Sequence, residues 1–173
     1  MTTADLKAFI KDVPDFPKPG IVFKDITPLL AAPAALGAAV DALAERTAAL
    51  DAEGVLAIES RGFVFGALLA QRLGLPLQLV RKRGKLPRAT VGIRYELEYG
   101  FDHLEMHADA VERGARYLIV DDVIATGGTA AAVADLVERQ GAAVAACAFL
   151  LELGFLDGRA RLGARPVVSL LEY

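Results

Sequence analysis

Val120-Asp121-Asp122-Val123-Ile124-Ala125-Thr126-Gly127-Gly128-Thr129 is the stretch on which the reading of this chain turns. The run before it, Arg116-Tyr117-Leu118-Ile119-Val120, predicts a buried strand that delivers two carboxylates to its end. Beyond it, residues 129–140 predict a helix, with Val133, Leu136 and Val137 on one face and Gly141 as its stop. In an open parallel sheet, ligands collect beyond the carboxyl ends of the strands. The paired glycines let backbone N–H groups point into one concavity, and the helix N-terminus adds about half a positive charge. That combination predicts a phosphate cradle. The two aspartates would repel a phosphate they faced, but they suit the hydroxyls of a sugar beside it, as in a ribose 5-phosphate. On loop chemistry alone, an ordinary strand–turn–helix connection with capping aspartates stays open. The stretch contains neither G-x-G-x-x-G nor Gly-Lys-Ser/Thr, so it is not a dinucleotide fingerprint or a P-loop.

Outward from this stretch, strands and helices alternate. Residues 33–49 carry Leu36, Val40 and Leu43 at helical spacing, and 54–58 read as a short buried strand. Residues 63–73 return to helix, with Gly74 as its end, and 75–80 form a second strand. Residues 91–107, interrupted by Gly100, suggest a hairpin, and 143–151 and 167–171 are further strands. Such alternation predicts an α/β fold with a mostly parallel central sheet flanked by helices. The 173 residues fit a single domain, in which proline-rich residues 14–30 look like a small N-terminal hood.

Composition narrows the partners. With 54% hydrophobic and 24% charged residues the chain is globular, and a net charge of -3 gives no footprint for nucleic acid. The longest apolar run stops at Glu152, short of the ~20 residues that span a bilayer. No basic-then-apolar leader occurs in residues 1–15, so a soluble protein in a reducing cytoplasm is expected. Cys147, the only cysteine, lies in an apolar run and reads as a buried, inert thiol. Against this acidic balance, Arg81, Lys82, Arg83, Lys85 and Arg88 stand out as a local cluster of cations.

Asp121-Asp122-Val123-Ile124-Ala125-Thr126-Gly127-Gly128-Thr129 closely resembles the phosphoribosyl pyrophosphate signature of the type I phosphoribosyltransferases. Other blocks resemble the adenine-specific branch of that family, in the family's order, from about Pro14 to the end. Residues 16–28, centred on Val22-Phe23-Lys24, are similar to its hood. Glu59-Ser60-Arg61-Gly62 is similar to its pyrophosphate loop. Arg81-Lys82-Arg83-Gly84-Lys85 and Tyr95-Glu96-Leu97-Glu98-Tyr99-Gly100 are similar to the two ends of a mobile lid over about residues 82–100.

The resemblance implies the type I phosphoribosyltransferase fold and transfer of a phosphoribosyl group from phosphoribosyl pyrophosphate to adenine, giving AMP and pyrophosphate. It implies that Asp121 and Asp122 hold the sugar hydroxyls, directly or through water on Mg2+, the ion being carried mainly by the substrate. Ala125, Thr126, Gly127, Gly128 and Thr129 would bind the 5-phosphate. Ser60, Arg61, Arg81, Lys82 and Lys85 would neutralise the departing pyrophosphate. Phe23 would stack on the purine while the backbone of Val22 and Lys24 reads its edge; many relatives carry arginine where this chain has Lys24. Glu98, beside Tyr99 in the lid, is the family's match for proton management and is the expected catalytic residue. The resemblance further implies a homodimer in which one of the basic residues serves the neighbouring subunit, and a cis peptide between Glu59 and Ser60.

Blander readings accompany several of these residues. Phe23 could belong to the core, Glu98 could be an exposed strand glutamate, and Arg88 reads as part of a solvated charge run. His103, Glu105 and His107 alternate as a metal trio would, but read as the polar face of a hairpin whose other side carries Leu104 and Met106. A regulatory sensor of phosphoribosyl pyrophosphate and a xanthine-using enzyme are the rival functions. Retention of both lid and Glu98 favours catalysis over the first, and the hood block disfavours the second.

Overall fold

The computed structural model describes residues 1–96 and 100–173. A short helix α1 (Thr3–Lys7) opens the chain, its first turn closed by reciprocal bonds between Thr2 and Asp5. Strands β1 (Lys11–Pro14) and β2 (Val22–Asp25) pair antiparallel as a separate two-stranded sheet. There follow α2 (Thr27–Leu30), α3 (Pro33–Thr47), β3 (Gly54–Ile58), α4 (Gly62–Leu73), β4 (Leu77–Lys82), β5 (Thr90–Glu96) and β6 (Phe101–His107). The chain continues through β7 (Arg116–Ile124), α5 (Gly128–Arg139), β8 (Ala143–Glu152), α6 (Gly158–Leu162) and β9 (Val167–Glu172).

Among the described residues the main sheet has seven strands in the order β5-β6-β4-β3-β7-β8-β9. From β4 to β9 the pairings are parallel, and the β5–β6 hairpin joins the β4 edge antiparallel. Strands covered on both faces must be apolar throughout, and β3 is buried at every position. On β7 the side chains alternate between two cores. Leu118 and Val120 pack with Leu43 of α3 and Phe65 and Leu69 of α4, while Ile119 packs with Val133 and Val137 of α5. Each such fully buried side chain contributes roughly 1.5–3 kcal/mol. The α/β architecture expected from the alternation of elements is therefore present.

The boundaries differ where tertiary pairing extends a ladder. The strand expected over 75–80 runs from Leu77 to Lys82, because β6 pairs Arg81 with Glu105 and Lys82 with Leu104. The first two basic residues thus stand on a strand rather than in a loop. β7 continues past the acid pair to Ile124, held by β8 as far as Glu152. The hood segment contains β2 and α2, and its partner strand β1 begins earlier, at Lys11. Glu98 and Tyr99 lie outside the described residues. No described helix is long and apolar enough to cross a membrane.

Candidate functional site

Everything that reaches the carboxyl ends of β3, β4 and β7 meets in one cavity of about 610 Å³. Val22, Phe23 and Lys24 of β2 roof it, Ser60 and Arg61 come from the turn after β3, and Lys82 ends β4. Asp121 and Asp122 form its floor together with Ala125 and Thr129. A second cavity of about 90 Å³ adjoins it, lined by the whole run from Ala125 to Thr129. Two compartments, one apolar-roofed and acid-floored, the other made of loop backbone, are thus contiguous.

The small compartment is built by the stretch in which the sequence predicts a cradle. Gly127 adopts φ 78°, a left-handed conformation that favours glycine, and stands at the N-cap of α5. Tyr95 of β5 reaches this turn, its hydroxyl 3.4 Å from Thr129 Oγ1. The carbonyl oxygen of Glu96, at the end of β5, lies near Gly128.

The acid pair is crowded. Asp122 is only 4% exposed, and its own N–H donates to Asp121 Oδ1 at 2.9 Å. Burial, and then the charge of Asp122, push the Asp121 carboxyl well above the usual carboxylate range. Burial raises Asp122 as well, against the opposing pull of Arg61. Arg61 Nε lies 2.8 Å from Asp122 Oδ2, an ion pair without hydrogen-bond alignment, so that oxygen is buried and lacks a hydrogen bond among the described residues. Two enclosed carboxylates that share one cation, Arg61, suit a further cation or a donor hydroxyl. Gly62 allows this crowding, because a Cβ there would stand 2.8 Å from Asp121 Oδ1 and 2.9 Å from the carbonyl of Val120.

Arg61 also faces the roof, its guanidinium 5.0 Å from the centre of the Phe23 ring. Phe16 meets that ring edge-on at 5.1 Å. Half-buried between them, Phe23 offers an aromatic face to the cavity rather than filling the core. The ammonium of Lys24 turns away onto β1, 2.6 Å from Asp12 Oδ1, and lies over the Tyr173 ring at 4.2 Å.

The remaining basic residues separate. Lys82 lines the cavity with its Nζ 3.2 Å from Asp102 Oδ2. Arg81 and Lys85 do not line it. Arg81 grips Glu59 at 3.2 Å and donates to the Lys85 carbonyl, and Glu59 also accepts from the Lys82 N–H at 2.9 Å. Burial acts to raise the Glu59 carboxyl, but these donors outweigh it and hold it below its ordinary value. The Glu59–Ser60 peptide is cis. Of the hairpin trio, Glu105 accepts from the Gly84 N–H and lies 4.0 Å from His103 Nε2.

Two lining residues escaped the sequence reading, Asp102 and Leu153, while Glu59 and Tyr95 stood in blocks quoted there without a role of their own. Leu153 was findable, since it directly follows β8 and so sits at the same strand-end rim as the acid pair. Asp102 carried no signal, because only the β5–β6 register places it beside Tyr95.

The sequence matches the family described as "Phosphoribosyl transferase domain" over residues 29–165. It is 57% identical to the adenine phosphoribosyltransferase of Rubrobacter xylanophilus over 95% of this chain and 89% of that protein. Among solved structures, the adenine phosphoribosyltransferase of Thermoanaerobacter pseudethanolicus superposes with a TM-score of 0.97 at 49% identity, covering 99% of this chain and 100% of that one. That of Saccharomyces cerevisiae, complexed with an imino-altritol bisphosphate and adenine, gives a TM-score of 0.92 at 40% identity over 98% of each chain.

Proposed function

The chain belongs to the adenine phosphoribosyltransferases, within the phosphoribosyl transferase domain family, and from that premise we propose which residues carry the reaction. The activity is a purine salvage step: the phosphoribosyl group of phosphoribosyl pyrophosphate passes to adenine, giving AMP and pyrophosphate. The observation that carries the assignment of roles is the contiguity of the loop cradle, the acid floor and the aromatic roof in one cavity.

The backbone N–H groups of residues 125–129 and the hydroxyls of Thr126 and Thr129 take the 5-phosphate at the N-terminus of α5. Asp121 and Asp122 take the two ribose hydroxyls as acceptors. Phe23 stacks on adenine, and the backbone of Val22 and Lys24 reads its edge. Because the Lys24 ammonium is engaged with Asp12 and Tyr173, a lysine in place of arginine does not alter the base contact. Leu153 supplies an apolar wall.

The departing pyrophosphate is neutralised by Ser60, Arg61 and Lys82, which line the cavity, while Arg81 shapes the loop through Glu59. Mg2+ fits the floor, where the enclosed Asp121 and Asp122 carboxylates have only Arg61 to offset them. When bound with the substrate it would supply the positive charge that a leaving pyrophosphate requires. Glu98 manages the proton that adenine must lose as its ring nitrogen bonds to the anomeric carbon. Lys85, exposed and outside this chain's cavity, is suited to the site of a second copy in a homodimer. A reducing cytoplasm is the proposed location, consistent with the free thiol of Cys147.

Titration calorimetry on two variants tests the division. Phe23→Ala should weaken adenine by about 1–3 kcal/mol, the worth of one base stack, and leave phosphoribosyl pyrophosphate unaffected. Asp122→Asn should do the reverse. Both ligands weakened equally by either variant would contradict separate base and sugar subsites.

A further inference from the structure

The cradle of residues 125–129 is backed by a third glycine that lies far along the chain. A Cβ on Gly127 would stand 2.2 Å from the carbonyl oxygen of Gly158, and a Cβ on Gly158 would stand 2.3 Å from the carbonyl oxygen of Ala125. The same atom on Gly158 would also meet Ile124 Cγ1 at 2.9 Å and the backbone nitrogen of Gly127 at 3.1 Å. Two backbone segments therefore touch with no side chain between them. Any side chain at Gly158 must push the cradle towards its ligand or withdraw from it.

The next residue keeps this wall from withdrawing. Arg159 forks onto Glu152, with Nε at 2.7 Å from Oε1 and Nη2 at 2.7 Å from Oε2. It also donates to Ser169 Oγ at 2.9 Å and to the Val167 carbonyl at 3.2 Å. Glu152 is 6% exposed while Arg159 stays half open to solvent, so the fork is charge-assisted and enclosed on its carboxylate side. It ties the start of α6 to β8 and β9, which are rigid parts of the main sheet.

We propose that Gly158 is a positioning residue for the 5-phosphate, fixing the shape of the cradle from behind, with the Arg159–Glu152 fork holding it in place. The inference rests on the assignment of residues 125–129 as the phosphate site. A cradle of N–H donors works only when the donors converge, and displacements near 1 Å away from the reacting atoms cost up to about 100-fold.

Gly158→Ala should raise the KM for phosphoribosyl pyrophosphate about 10–100-fold and weaken ribose 5-phosphate in calorimetry by a like factor. The KM for adenine at saturating phosphoribosyl pyrophosphate should stay within about twofold, a split that a packing defect spread over the fold would not produce. Arg159→Lys keeps the charge but loses the fork, and should shift the same two quantities in the same direction by less. It serves if the alanine variant does not fold. Thr129→Val separates the layers of the argument. If it weakens ribose 5-phosphate while Gly158→Ala and Arg159→Lys leave it unchanged, the positioning role is overturned and the cradle stands. If Thr129→Val is itself without effect, the cradle assignment falls and this inference with it.

Discussion

Asp121 and Asp122 are adjacent and enclosed, an arrangement that disfavours charge on either carboxyl. Arg61 relieves only part of it, pairing with Asp122 while its guanidinium covers Phe23. One side chain thus borders the acid floor and the aromatic roof together. In the proposed division of roles, chemistry at the transferred bond falls to Glu98. Glu98→Gln should lower kcat on the order of 10²–10⁴-fold, as expected for a lost general acid or base, with little change in adenine binding. Unchanged kcat would remove it from the mechanism. At this scale the run from Asp121 to Thr129 was legible because strand, acid pair, glycine turn and helix start are consecutive in sequence. Gly158 was not, since a glycine's significance here lies in a backbone contact across 31 positions. Arg81 and Lys82 look equivalent as letters. Their side-chain partners distinguish them: the Arg81 guanidinium donates to Glu59, while the Lys82 ammonium faces Asp102 in the cavity.

The elements that build the site are joined by close backbone approaches. α4 begins against the end of β7, where Gly62 leaves room for Asp121. Gly62→Ala should destabilise the protein by about 1–3 kcal/mol through overpacking and also raise the KM for phosphoribosyl pyrophosphate, because the displaced atoms include Asp121 Oδ1. Thermal unfolding and initial rates on the same preparation check both parts; loss of stability without any change in KM would place Gly62 in packing alone. At the other end of the site, Arg159 holds the Glu152 carboxyl below its ordinary value of 4.5. As pH falls, the unfolded chain takes up that proton first. The stabilisation is complete above about pH 4.5 and is lost as pH falls through the lower folded value. Tm against pH should therefore drop less steeply on the acid side in Glu152→Gln than in the wild type, and equal slopes would contradict the coupling. Long apolar elements such as β8 and α5 were readable from periodicity. β1, β2 and α6, each four or five residues long, carry too few positions to show a period and are set by their neighbours instead.

The whole molecule places these parts where a parallel sheet places ligands. Five strands point their carboxyl ends to one rim, and the antiparallel β5–β6 hairpin adds Tyr95 and Asp102 from the β4 edge. The separate β1–β2 sheet closes the opposite side with Phe23. A two-stranded sheet is marginal by itself, and the contacts of Lys24 with Asp12 and Tyr173 help to seat this one on the body. The sheet class followed from the alternation of apolar runs. The edge hairpin's position did not, since strand order depends on pairings between distant segments. The cavity is proposed to make AMP from adenine. The direct measurement is a base panel, with purified protein, Mg2+ and phosphoribosyl pyrophosphate supplied with adenine, hypoxanthine, guanine or xanthine in turn, following nucleotide formation and pyrophosphate release with and without a chelator. The account predicts AMP and pyrophosphate in equal amounts with adenine alone, abolished by chelation. Turnover with a 6-oxopurine, or none with adenine while phosphoribosyl pyrophosphate binds, would contradict it.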